Sequence, residues 1–140
     1  MRVSGAIFLF ALLLSGCGPD ATHVAGPFYL TYIKNPRETS LFRCVDQSTE
    51  SCAGDGLPGP TIFAAGANEK YVVVVRHPYK DGSFDRNRME YFYFARVKEE
   101  LHGWGENPEK IIGPLNEVAF LAAKNRYHLP DFSVRPSDLE

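Results

Sequence analysis

The chain has 140 residues, with 15 basic against 17 acidic side chains and a hydrophobic share of 44%. That is enough to bury one core and too little for two domains of ordinary size. A formal net charge of −2 offers no basic excess, which excludes the electrostatic footprint of a nucleic-acid-binding surface.

The first element is a leader. Arg2 supplies a positive charge, Ala6 to Leu14 (AIFLFALLL) is an unbroken apolar run, and the small residues Ser15 and Gly16 follow, the layout of a secretory signal peptide over residues 1–16. The run is too short to stay as a membrane span, which takes roughly 20 apolar residues. Leu14-Ser15-Gly16-Cys17 resembles the lipobox of bacterial lipoproteins. The resemblance covers the first 17 residues and implies cleavage before Cys17, acylation of its thiol and attachment to the lipid bilayer of a bacterial cell envelope. Two or more acyl chains anchor a protein stably where one holds it only reversibly. Gly18 stands where retention in the inner membrane would call for aspartate, so the resemblance implies the outer membrane, facing the periplasm, in a Gram-negative organism.

Residues 17–27 are small and polar and read as a lipidated tether, and 28–140 as a single globular domain. FYLTYIK (Phe28 to Lys34) is rich in aromatic and β-branched residues and stops at Asn35-Pro36, the pattern of a strand closed by a turn. LFRCV (Leu41 to Val45) is a second, short strand. With Cys17 lipidated, Cys44 and Cys52 are the remaining thiols, and in an oxidising compartment an even pair predicts a disulfide pinning the loop QSTES. The competing reading, a metal or catalytic thiol, lacks partners, because a seven-residue gap with no histidine nearby fits no zinc spacing. GDGLPGP (Gly54 to Pro60) is irregular and would suit a wedge that blocks a partner.

Thr61 to Ala65 and Tyr71 to His77 predict a hairpin that turns around Gly66 to Glu69, and Pro78 ends it. The polar stretch after it carries Asp81, Ser83, Asp85 and Asn87 at alternate positions, an imitation of the opening of a calcium loop. Arg86 stands where that loop needs glycine and Phe92 where it needs glutamate, so a solvated hairpin loop is the reading. MEYFYFARV (Met89 to Val97) is the fifth strand. HGWGENPE is a loop. The one helix is expected from about Pro114 to Tyr127, with Pro114 at its first position, Glu117 at the positive end, Lys124 and Arg126 at the negative end, and Leu115, Val118, Leu121 and Ala122 as its buried stripe. The segment IIGPLNEVAFLAAKNRYHLPDFS resembles helices of small uncharacterised bacterial lipoproteins and carries no activity with it.

These elements predict an α+β fold, a small antiparallel meander sheet of about five strands with the C-terminal helix packed on one face. VVVV (72 to 75) and YFYF (91 to 94) lack polar alternation and must be covered on both faces. Phe92 and Phe94 are expected under the helix. Tyr91 and Tyr93 then line either a second small core, formed by strand one and the loops, or a partner surface.

His23, His77, His102 and His128 have no ligand spacing, and His77 reads as a surface residue. There is no nucleophile elbow, zinc helix motif or phosphate-cradling glycine loop. The expectation is a protein without catalytic residue, metal or cofactor, acting noncatalytically through contacts with an envelope protein. The alternative is a periplasmic inhibitor or immunity-type protein that neutralises an enzyme or toxin.

Overall fold

A computed structural model describes residues 21–44, 52–97, 110–136 and 139. The leader 1–16, Cys17, the loop QSTES and the loop HGWGENPE lie outside the described residues.

The strands are β1 (Thr22–Ala25), β2 (Phe28–Thr31), β3 (Ser40–Cys44), β4 (Cys52–Ala53), β5 (Ile62–Ala67), β6 (Tyr71–Arg76), β7 (Tyr79–Lys80), β8 (Ser83–Phe84), β9 (Glu90–Ala95) and β10 (Ile112–Leu115). A 3-10 turn (Pro36–Glu38) joins β2 to β3, and helix α1 (Glu117–Tyr127) follows β10. The architecture is α+β, almost wholly antiparallel sheet with one C-terminal helix.

The expected single meander is instead split. One four-stranded sheet runs β1-β2-β3-β4, a second runs β10-β9-β6-β5, and β7-β8 is a separate hairpin. The division falls at GDGLPGP, where the chain leaves the first sheet. Its physical cause is coverage. Phe28, Leu30 and Leu41 of the first sheet meet Val72, Val74, Phe92 and Phe94 of the second in one buried cluster, so each sheet supplies the cover the other needs. Phe28 and Phe94 meet edge to face, with centroids 5.1 Å apart.

The other face of the second sheet is closed by α1 and the C-terminal tail, where Phe63, Val73, Val75 and Tyr91 join Phe120 and Leu129. Both faces of β6 and β9 are thus covered, as their unalternating sequences require. The assignment of faces is the reverse of the expectation: the tyrosines, not Phe92 and Phe94, lie on the helix side. Phe92 and Phe94 pack in the cluster with Phe28, Leu30 and Leu41 of the first sheet.

The helix also starts later and turns differently. Pro114 belongs to β10, where Ile112 pairs with Tyr93 and Leu115 with Tyr91. Gly113 makes this possible, since at φ +138° a Cβ there would lie 2.6 Å from both the Phe92 ring and the Tyr91 carbonyl oxygen. Asn116 is the N-cap, accepting from the Ala119 N–H at 2.8 Å. That cap sets the phase of α1, so that Phe120 and Ala123 face the sheet. Val118 is 79% exposed and Leu121 49% exposed, and Ala122 is also on the outside. The expected stripe of Val118, Leu121 and Ala122 is the outer face.

Residues 22–25, read as tether, are an edge strand. β1 pairs with β2, Thr22 opposite Leu30, and His23 tilts over the Tyr29 ring at 4.8 Å. Backbone pairing with β2 fixes this short segment, whose Thr22 and Val24 are compatible with a strand.

Candidate functional site

Cys44 and Cys52 lie opposite each other across β3 and β4 and are joined by a disulfide. The bridge holds the two-residue β4 on the first sheet. GDGLPGP is no projecting wedge, because Leu57 is buried in the core between the sheets and its N–H donates to the Gly54 carbonyl at 3.1 Å.

Tyr91 and Tyr93 do not form a joint outer patch. Tyr91 is only 8% exposed and its ring stacks on Phe120. Tyr93 is half-buried beside Tyr71 and Tyr127, at centroid distances of 6.3 and 6.0 Å. The phenol of Tyr91 is raised above the ordinary tyrosine value by loss of water and then by the Glu117 carboxylate. That of Tyr93 is raised by the same loss of water and by its two tyrosine neighbours, against the lowering effect of Arg126.

His77 is not a surface residue. It is 4% exposed, stacked on Phe63 at 4.3 Å with Phe84 at 5.9 Å, and its Nδ1–H donates to the Arg88 carbonyl at 2.8 Å. The ring belongs to the floor under the β7–β8 hairpin. Of Asp81, Ser83, Asp85 and Asn87, which imitated an ion loop, Asp81 sits with Gly82 in the tight turn of that hairpin, at φ of 51° and 83°, as an Asp-Gly two-residue turn demands.

The polar concavity that the sequence did not announce lies where four segments converge: the end of β2, the 3-10 turn, the exit of β8 and the tail after residue 134. The cavity is about 610 Å³. Arg37, Arg86 and Arg135 line it together with Thr31, Tyr32 and Phe84, and none of the described lining residues is acidic.

Arg37 and Arg135 are placed by backbone hydrogen bonds, and Arg86 lies against an aromatic ring. The 3-10 turn carrying Arg37 is capped by Asn35, whose Oδ1 accepts from the Arg37 N–H at 3.0 Å, and the buried Thr61 hydroxyl donates to the Arg37 carbonyl. The Tyr79 hydroxyl donates to Glu38 Oε1 at 3.2 Å, tying the hairpin to the same turn. Loss of water and this bond to Glu38 both raise the Tyr79 pKa. Beyond the hairpin, the Arg86 guanidinium sits over the Phe84 ring at 4.8 Å.

Arg135 follows a short pairing at the free edge of β5. Ala65 N–H donates to the Val134 carbonyl, and Val134 N–H donates back to Ala65, both at 2.8 Å. The tail approaches so closely that a Cβ on Gly66 would lie 1.9 Å from the Asp131 carbonyl oxygen, so only glycine fits there. No sequence signal links positions 37, 86 and 135, and Thr61, the residue that locks the turn, is equally silent in the sequence.

Among the described residues no group of three or more histidine, cysteine or acidic side chains is placed to hold a metal ion, and no helix is long and apolar enough to cross a membrane. By fold, the chain is a two-sheet α+β domain with a helix and tail closing its outer face. Comparison with protein-family models, with curated proteins and with solved structures returned no match.

Proposed function

We propose that this chain is a lipid-anchored lipoprotein of the bacterial cell envelope, held by Cys17 and acting noncatalytically through contacts with another envelope protein. The observation that carries the reading is the Cys44–Cys52 disulfide. It accounts for both thiols of the folded body, in keeping with an oxidising compartment, and leaves Cys17 as the one cysteine outside the pair. Among the described residues the first paired strand starts at Thr22, five residues beyond Cys17, a separation of at most about 18 Å at full extension. In a Gram-negative cell the residue after Cys17, Gly18, favours the outer membrane.

Action by contact is supported by the outer row of α1, where Val118 and Leu121 place apolar surface in water. The test is metabolic labelling with radioactive palmitate, combined with photo-crosslinking from position 121. Label that disappears in Cys17→Ala, together with one discrete adduct, supports the reading. An unlabelled chain released into the soluble fraction overturns the anchor, and a labelled chain that yields no adduct overturns the contact.

A further inference from the structure

A second concavity, of about 300 Å³, opens where the segment after β2, the 3-10 turn, β3, Pro60 and β7 meet. Ile33, Phe42, Pro60 and Tyr79 are its apolar walls, and Glu38 and Ser40 supply its polar lining. We infer that this groove docks a lysine side chain of a partner protein, whose aliphatic stem lies along the walls while its ammonium group meets the Glu38 carboxylate. The inference rests on the reading that the protein acts by contact, and the groove shares no residue with the outer row of α1.

Charge complementarity points to this occupant. Among the described residues the Glu38 carboxylate forms no ion pair. Its Oε1 accepts from the Tyr79 hydroxyl at 3.2 Å, and Oε2 has no donor among the described residues. The described lining holds no base. Arg37, the neighbour of Glu38 in the turn, lines the larger cavity, and its charge is felt at Tyr79 without pairing with Glu38.

The groove is also set in advance. Tyr79 holds the Glu38 side chain from β7, while the Ser40 hydroxyl donates to the Glu38 carbonyl at 3.0 Å and the Thr39 hydroxyl to that of Pro36 at 2.6 Å, which fixes the backbone of the turn. Little ordering is left for binding to impose. Ile33 is 76% exposed at the rim, so apolar surface stands in water where a lysine stem would cover it. Aromatic walls add attraction for an ammonium ion over their faces. The volume stands at the lower end of the roughly 300–1,000 Å³ of ligand pockets and suits a single side chain. Lysine fits better than arginine, since a guanidinium fork is best met by two oxygens and one of the two already serves Tyr79.

The test is a proton–nitrogen NMR titration of the full chain in detergent. The probe is Nα-acetyl-lysine amide, with the arginine, norleucine and glutamate analogues as controls. Saturable shifts at the amides of Ile33, Ser40 and Tyr79 are expected with the lysine probe, at a Kd on the order of 1 mM, at least about tenfold tighter than norleucine or glutamate and weakened by salt. Glu38→Gln, which keeps an acceptor for Tyr79, should weaken binding at least about tenfold and abolish its dependence on salt. Ile33→Ser, changed at an exposed position, should weaken binding and leave the salt dependence in place. If Glu38→Gln fails to give the circular dichroism of the parent, Ile33→Ser carries the test. Absence of saturable shifts at the three amides, equal binding of norleucine, tighter binding of arginine than of lysine, or full affinity in the folded variants overturns the proposal. Because no readout involves acylation of Cys17 or an adduct from position 121, failure of the proposed function and failure of this groove are separately visible.

Discussion

The Tyr91 ring lies stacked on the Phe120 ring, with centroids 4.8 Å apart and planes 20° from parallel. This one contact joins the middle of the second sheet to the only buried residue of α1. Replacing Phe120 with alanine removes that plug and is expected to cost about 3–5 kcal/mol. Val118→Ser, on the outer face, should stay within about 0.5 kcal/mol of the parent. Urea denaturation followed by circular dichroism checks both, and equal effects would contradict the phase of the helix.

The same contact predicts a weakness at alkaline pH. Burial and then Glu117 raise the Tyr91 phenol above its unfolded value, so the neutral form is the one the fold favours. Its contribution is complete below the unfolded value, about pH 10, and is lost as the pH rises through the higher folded value. Helical signal should therefore fall in that window together with absorbance of tyrosinate at 295 nm, and Tyr91→Phe should lessen the loss.

The disulfide closes a short ring, since Cys44 and Cys52 are separated by eight positions. On the chain-entropy view, Cys44→Ala/Cys52→Ala should lower stability by about 2.5 kcal/mol. For a domain of this size the melting temperature falls by about 10 °C, which differential scanning calorimetry measures. A change below about 1 kcal/mol would mean that β4 stays in place without the bridge.

Gly66 and Gly59 offer a controlled comparison. A Cβ on Gly66 would run into the Asp131 carbonyl oxygen at 1.9 Å, whereas one on Gly59 meets nothing nearer than Arg76 Nη1 at 3.9 Å. Gly66→Ala should cost about 1–3 kcal/mol by forcing the tail off the β5 edge, and Gly59→Ala about 0.5 kcal/mol or less. Amide hydrogen exchange at Ala65 and Val134 should quicken in the first variant alone, because those two amides form the bridge.

Five strands could be read in advance from apolar, β-branched or aromatic runs bounded by turn signals: FYLT in β2, SLFRC in β3, IFAAGA in β5, YVVVVR in β6 and EYFYFA in β9. β1, β4 and β10 were not, because THVA, CA and IGPL are too short to show a strand pattern of their own and are fixed as strands by pairing with a neighbour. Asn116 is an Asn before Glu117 and an apolar run, the chemistry of an N-cap, yet it was passed over. Pro114 two positions earlier offered a competing start and drew the expected boundary, and with it the expected buried face, away from the observed one.

From its order of residues alone this chain declares a body rich in strands and a helix near the end, since each of these rests on local composition and spacing. Which face of β9 meets which layer was decided by the tertiary packing, which set Phe92 and Phe94 against the first sheet and Tyr91 against α1. The convergence of Arg37, Arg86 and Arg135 was decided by hydrogen bonds and a glycine contact between segments remote in sequence. Such choices depend on the relative burial of whole faces, a property that exists only once the sheets have packed.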